Sequence, residues 1–205
     1  MRKLSILPFV LAYLITNNYV LGKEKKCNYV YDQTSTKLEW KAYKFTEKAG
    51  VPGSFDSIQV SGAKRSNDPI SALRGIKFKI KTDSVNSNNP DRDMKIKKYF
   101  FNTESKLGKE ISGSFQNITG TESGTVDLIL TMNGKKQTVP MTFTLAENKA
   151  ITLLGNISVS DFGLNEGLKA LNEVCLELHK GKDGNSVLWP TVDLKVTSTL
   201  KESCK

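Results

Sequence analysis

A single histidine, His179, serves this 205-residue chain, and that scarcity excludes several kinds of chemistry. A nucleophile with its general base needs a second group beside it. No Gly-x-Ser-x-Gly elbow and no glycine-rich phosphate loop is present. Structural or catalytic zinc takes three or four nitrogen, sulfur or oxygen ligands, and no close His/Cys pair supplies them. Alternation predicts a strand over Val174–Leu178, with His179 on its outer face. In such a strand Cys175 and His179 stand about 13 Å apart, too far for a dyad or a shared metal. Asp91 and Asp93 are explained by a helix N-terminus without catalysis. The chain is therefore expected to be no enzyme and to carry no cofactor or metal.

Long hydrophobic runs are also missing. The longest apolar stretch, Leu4–Ile15, has 12 residues, against about 20 for a membrane-spanning helix. Arg2 and Lys3 precede it, and Val20 and Gly22 follow as small residues at a cleavage site. This is the layout of a secretory signal peptide over residues 1–22, removed on export. The rest, 23–205, has no Pro- or Gly-rich linker and no repeat, so a single domain is expected, periplasmic or secreted. Cys27 follows Glu24, Lys25 and Lys26 and so does not sit in a lipoprotein attachment motif.

The formal net charge is +9. The excess is spread along the chain, as in Lys77/Lys79/Lys81 and Lys95/Lys97/Lys98, which fits solvated strand faces. It also fits transient contact with anionic head groups at a membrane surface. Basic-aromatic clusters are absent, and nucleic acid is not an expected partner.

What the chain does have is alternation with period two. Leu38, Trp40 and Ala42 alternate with Lys37, Glu39 and Lys41. Ile76, Phe78 and Ile80 alternate with lysines, Met141, Phe143 and Leu145 with threonines, and Val192, Leu194 and Val196 with polar residues. Further strands are predicted over Gly53–Ser61, Glu110–Ile118, Thr125–Met132 and Ala150–Ser160. Asn133-Gly134 between two such runs signals a two-residue hairpin. Antiparallel strands, wet outside and apolar inside, follow from this pattern. Eight of them, mostly joined locally, predict an all-β, up-and-down, lipocalin-like barrel.

Two short helical inserts interrupt the strands. In the first, Asn89–Phe101, Pro90 marks the boundary, Asp91 is the expected N-cap, and Phe100 and Phe101 should face the barrel mouth or interior. In the second, Asp161 is the expected cap before Leu164, Leu168 and Leu171 at helical spacing.

Three cysteines in an exported chain invite a disulfide. Cys27 precedes the first strand and Cys204 follows the last, and these are neighbours if the barrel closes. A hairpin running from Val174 to Leu200 would hold Cys175 roughly 30 Å from Cys204. The predicted pair is Cys27–Cys204, with Cys175 free.

Together these segments resemble the YceI-like family of polyisoprenoid-binding, lipocalin-like barrels. The resemblance is carried by Asp91-Arg92-Asp93 with Lys98-Tyr99-Phe100-Phe101, by Leu130–Pro140, by Ser160-Asp161-Phe162-Gly163 and by Leu38-Glu39-Trp40. It runs from about Tyr29 to Val196. A histidine usual in the family near Ser35 is absent, and Val159-Ser160 replaces a basic residue. Both departures bear on recognition of a polar head group. The resemblance implies a barrel that sequesters or carries a long isoprenoid, an isoprenoid quinone or a related amphiphile in its interior. The inward residues Trp40, Phe78, Ile80, Phe143, Leu145, Ile157, Leu176 and Val196 are the candidate liners. From the inserts, Met94, Tyr99, Phe100 and Phe162 are the candidates that close the mouth. Homodimers are frequent in the family, although no segment declares an interface. The competing expectation is a ligand-free structural, stress-related or adhesive envelope protein whose barrel is filled by side chains.

Overall fold

A computed structural model describes residues 25–102 and 105–205; the leader expected over 1–22 lies outside them. The alternating segments form β1 (Cys27–Tyr31), β2 (Lys37–Lys44), β3 (Ala49–Phe55), β4 (Ile58–Ser61), β5 (Lys77–Lys81) and β6 (Val85–Asn86). Then follow β7 (Glu110–Gly120), β8 (Ser123–Met132), β9 (Lys135–Leu145), β10 (Ala150–Ser158) and β11 (Leu188–Cys204). All pair antiparallel in one curled sheet of order β4-β5-β7-β8-β9-β10-β11-β2-β3-β6, with β1 added on β11.

Eleven strands stand where eight were expected. β1, before the Asp32–Thr36 turn, and two-residue β6, after the 3-10 turn Thr82–Ser84, lie outside the runs read as strands, while the run Gly53–Ser61 is cut in two, β3 and β4, at Asp56–Ser57. Alternation survives such a bend, so the sequence pattern reads through it. The break at Asp56–Ser57 also curls the sheet. It carries the chain from β3, hydrogen-bonded to β2, directly into β4, hydrogen-bonded to β5. The two ends of the sheet are thereby brought together.

At Asn133-Gly134 the β8–β9 hairpin turns with positive φ at both residues, 51° and 71°, as a type I′ turn requires. Met132 pairs with Lys135 across it, which keeps Leu128, Leu130, Val139 and Met141 on the inner face.

The segment Val174–Leu178 is not a strand. Helix α2 (Asn165–Val174) runs into a 3-10 turn, Leu176–Leu178, and only one isolated bridge, Lys180–Ser186, leads on toward β11. Val174, Leu176 and Leu178 alternate, but no partner strand takes them up, and period two alone does not form a sheet. The proposed hairpin and the distances drawn from it are therefore corrected. Cys175 and His179 are one helical turn apart, with the His179 amide donating to the Cys175 carbonyl at 3.0 Å.

Both helical inserts sit at one end of the sheet, with the β2–β3 and β8–β9 turns. The first is α1 (Pro90–Lys95) continued by a π-helical turn, Ile96–Phe101. Its N-cap is Asn89, whose Oδ1 accepts from the Arg92 amide at 3.0 Å, rather than Asp91. Pro90 lacks an amide hydrogen and fits the first helical position, which moves the cap back to Asn89. Asp93 is buried instead and accepts from the Ser87 amide (2.9 Å) and hydroxyl (2.6 Å), tying α1 to β6. The second insert begins at Asn165, not at Asp161, which lies in the preceding 3-10 turn Val159–Phe162.

The opposite end is sealed. Ile70, Ala72, Leu73 and Ile76 bury themselves there beneath β1, whose Tyr31 is also buried. β11 is long enough, at 17 residues, to pair with β2 and then with β1. Cys27 stands opposite Cys204 in that register, and the two form a disulfide; Cys175 is free and buried.

Candidate functional site

Inward-facing side chains of a curled sheet point toward one another, and where they are too few or too flat to meet they leave a void. Here the void is a cavity with about 170 Å³ of room for the centres of water-sized atoms. Its wall comes from β2, β3, β4, β5, β7, β8, β10 and β11, and its roof from Phe100, Phe101 and Ile96 of the first insert and Leu168 and Leu171 of α2.

Two glycines keep it open. Trp40 is paired across strands with Gly53, and Phe78 with Gly113. Each ring lies flat over the glycine: an added Cβ would stand 2.1 Å from the Trp40 ring and 2.5 Å from the Phe78 ring. Any other residue there would push the aromatic into the lumen.

Polar atoms among the liners are already used. Trp40 Nε1 donates to the Ser54 carbonyl (3.1 Å), and Trp189 Nε1 to the Phe45 carbonyl (2.7 Å). The Tyr31 and Thr36 hydroxyls bond to each other at 2.9 Å. The Tyr43 hydroxyl donates outward to Asp193, and this hydrogen bond, reinforced by Lys41 at 3.3 Å, holds the Asp193 carboxyl below its usual range. Burial pushes the Tyr31 hydroxyl up, so it stays neutral. A cavity whose few polar groups are satisfied by the protein accepts hydrocarbon and offers nothing to a charged head group.

The opening lies beside α2. Leu168, Leu171, Leu188 and Trp189 are only half-buried, whereas Tyr31 and Ile76, the liners at the sealed end, are buried. The β2–β11 pairing slips here between Leu188 and Val192. Pro190 lies in the slipped stretch and has no amide hydrogen for the ladder, so β11 bulges here before pairing resumes at Leu188 and Lys44.

The structure brings six of the expected residues to this cavity: Trp40, Phe78, Ile80, Phe100, Ile157 and Val196. Phe101 is there too, packed edge-on against Phe100 with ring centroids 4.8 Å apart. The other six lie elsewhere. Phe143 and Phe162 are fully buried in close-packed core, and Leu145 packs against that core. Met94 is on the outer side of α1 and 58% exposed. Tyr99 is half-buried under Lys98 and off the cavity. Leu176 is on the outside because its segment is helical. Among liners not singled out from the sequence, Phe115 was within reach, since it alternates with Ile111 in a predicted strand. Trp189 gave no signal, because the neighbouring Pro190 reads as a strand breaker.

His179 is half-buried below the rim. Its Nδ1 meets Asn172 Oδ1 at 3.0 Å, and the Ser186 hydroxyl donates to that same oxygen at 3.1 Å. This small network pins α2 to the segment before β11. Burial first, then Lys44, Lys95 and Arg92, lowers the His179 pKa from 6.5 to about 4. The unfolded chain then binds a proton that the folded one refuses, so the contribution of His179 to stability falls as pH drops from 6.5 to about 4 and is level outside that window. After discounting for half-exposure the loss is on the order of 1–2 kcal/mol. Melting temperatures at pH 7 and pH 4 should show this drop, and His179→Gln should flatten it; an equal drop in the variant would assign it to other groups.

No curated protein matches the chain. A polyisoprenoid binding domain from Saccharophagus degradans, implicated in plant cell wall breakdown, superposes with a TM-score of 0.59 at 16% identity. That match covers 85% of this chain and 98% of the other. BcnA of Burkholderia cenocepacia gives a TM-score of 0.59 at 17% identity, over 83% and 99% of the two chains. Identities this low establish the shared curled β fold. Membership rests on the sequence itself: the model of the YceI-like domain matches residues 29–197, from β1 through most of β11. Strands β2 to β10, both inserts and every cavity-lining residue fall inside that match, and the chain belongs to the YceI-like domain family.

Proposed function

We propose that this protein is an exported, non-enzymatic binding protein that takes the hydrocarbon part of an isoprenoid or similar amphiphile into its sheet and carries it through the aqueous envelope space. The observation that carries this reading is the cavity: nearly all carbon, open at one end, with its polar tips internally bonded. The solved relative described as a polyisoprenoid binding domain supports the same ligand class.

Each buried CH₂ contributes about 0.8 kcal/mol against water, less when the tail comes from a bilayer. An engineered cavity of about 150 Å³ holds benzene, so the room present here suits roughly one or two isoprene units. A longer tail needs Phe100 and α2 to swing outward. The head group stays at the rim, since nothing inside solvates it. Residues 1–22 serve as the export signal in this reading.

The second reading, a ligand-free envelope protein, is favoured by the filled far half of the sheet, where Phe143, Ile151 and Leu153 are fully buried. Denaturing solvent extraction of purified protein followed by mass spectrometry separates the two. Recovery of a long-chain lipid at about one per protein is expected. A clean extract, with no thermal shift on adding isoprenoid quinone, would leave the ligand-free reading standing.

A further inference from the structure

Three large apolar side chains stand in water beside the cavity mouth: Val174 (40% exposed), Leu176 (49%) and Leu178 (60%). They follow directly on Leu168 and Leu171, which roof the cavity, so one apolar stripe runs from the lumen onto the outer rim. They are held in place. The Leu178 and His179 amides donate back to the Cys175 carbonyl (2.8 and 3.0 Å), and buried Cys175 anchors the turn. Side chains this large are rarely left exposed together on a fixed turn without a partner surface.

Cations surround the stripe. Lys44 Nζ donates to the Leu178 carbonyl at 3.1 Å, and Lys48 lies over the Trp189 ring at 4.2 Å. Arg92 and Lys95 of α1 are close enough to depress His179. None of these four takes part in the six ion pairs of the described residues. Of the acidic groups in this region, Glu177 is paired with Lys180 at 2.8 Å, and Asp183 accepts from Thr46 and Asn185. Neutral donors leave the Asp183 charge in place, so Asp183, Glu47, Glu173 and Asp91 at the start of α1 stand against these four cations and exposed Lys182.

We propose that this rim, Val174, Leu176 and Leu178 flanked by Lys44, Lys48, Arg92 and Lys95, docks on an anionic bilayer surface and sets the cavity mouth against the lipid. Apolar side chains that enter the head-group layer and cations that meet lipid phosphates are the two signals that reversible membrane attachment needs. Lysine stems lie along apolar surface while their ammonium groups stay in the phosphate layer. The same end carries the half-buried cavity rim of Leu168, Leu171, Leu188 and Trp189, so a tail leaving the bilayer meets the opening without crossing water. The purpose of the surface rests on the carrier reading; its existence is tested apart from it.

Flotation of the full mature chain with phosphatidylcholine vesicles, with and without phosphatidylglycerol, provides the test. Binding is expected only to the anionic vesicles and should fall with salt. Lys44→Gln and Lys48→Gln should each weaken it about fivefold. Leu176→Ser/Leu178→Ser should abolish it, with circular dichroism and melting unchanged, and with isoprenoid uptake from detergent micelles retained because neither residue lines the cavity. Wild-type protein that takes up isoprenoid from micelles but ignores anionic vesicles overturns the docking surface and leaves carriage intact. Protein that floats through this rim yet never takes up a tail leaves the docking surface and removes carriage. A wild-type dimer in sedimentation that Leu176→Ser/Leu178→Ser converts to monomer, with flotation unaffected, would assign the stripe to a second copy and overturn the proposal.

Discussion

Ala42→Phe/Val196→Phe is expected to lose isoprenoid binding by about a thousandfold while remaining folded. Both residues line the cavity from adjacent strands, Ala42 toward the mouth and Val196 opposite Leu38 deeper down. Two added phenyl rings occupy the room otherwise taken by about five carbons of the tail, and at ~0.8 kcal/mol per buried CH₂ that removes about 4 kcal/mol. The rings enter a void, so the overpacking cost of about 1–3 kcal/mol seen in full cores is avoided. Titration with isoprenoid quinone, read by quenching of Trp40 and Trp189 fluorescence, measures the loss, and thermal melting checks the fold. Wild-type affinity in a folded double variant would place the ligand outside this cavity. A variant that binds poorly because it is unfolded would betray itself by a melting temperature far below the wild type.

Removal of the disulfide should have the largest effect on stability. Cys27 and Cys204 close a loop spanning 177 residues, so in the chain-entropy view the bond strips the unfolded state of much of its freedom. Cys27→Ser/Cys204→Ser is expected to cost about 2–5 kcal/mol. For a domain of this size that is roughly 5–15 °C in melting temperature. The bond also pins β1, whose Tyr31 closes the sealed end of the sheet against Ala72 and Leu73. Reductant on the wild type should reproduce the variant. An unchanged transition in both would mean that β1 frays without consequence and that the rest of the sheet carries the stability.

Much of the candidate site was legible in advance, for a simple reason. Side chains alternate on a strand, so Trp40, Phe78, Ile80, Ile157 and Val196 announce their inward direction wherever the strand itself is recognised. Phe100 was legible because α1 is bounded by Pro90 and followed by three aromatics, Tyr99, Phe100 and Phe101, that cannot all face water. Leu176 misled because a three-residue alternation occurs equally in a helical turn with one buried residue, here Cys175, between exposed ones. The strand count misled because the bend at Asp56–Ser57 is hidden within the run Gly53–Ser61, and because β1 and two-residue β6 lie outside the alternating runs.

The sequence by itself determined the antiparallel β class, the Asn133-Gly134 turn, the two inserts and the family, all of which rest on local spacing. Only the tertiary structure decided which inward residues surround a void and which are packed solid. Phe143 and Phe78 have the same pattern along the chain. Each stands between a glycine and an aliphatic residue across the sheet, Gly113 and Val60 for Phe78, Gly124 and Leu153 for Phe143. Yet only the Phe78 ring lies over its glycine and leaves space, while Phe143 is packed solid. Cavity shape depends on what stands across the sheet, and local periodicity carries no record of that.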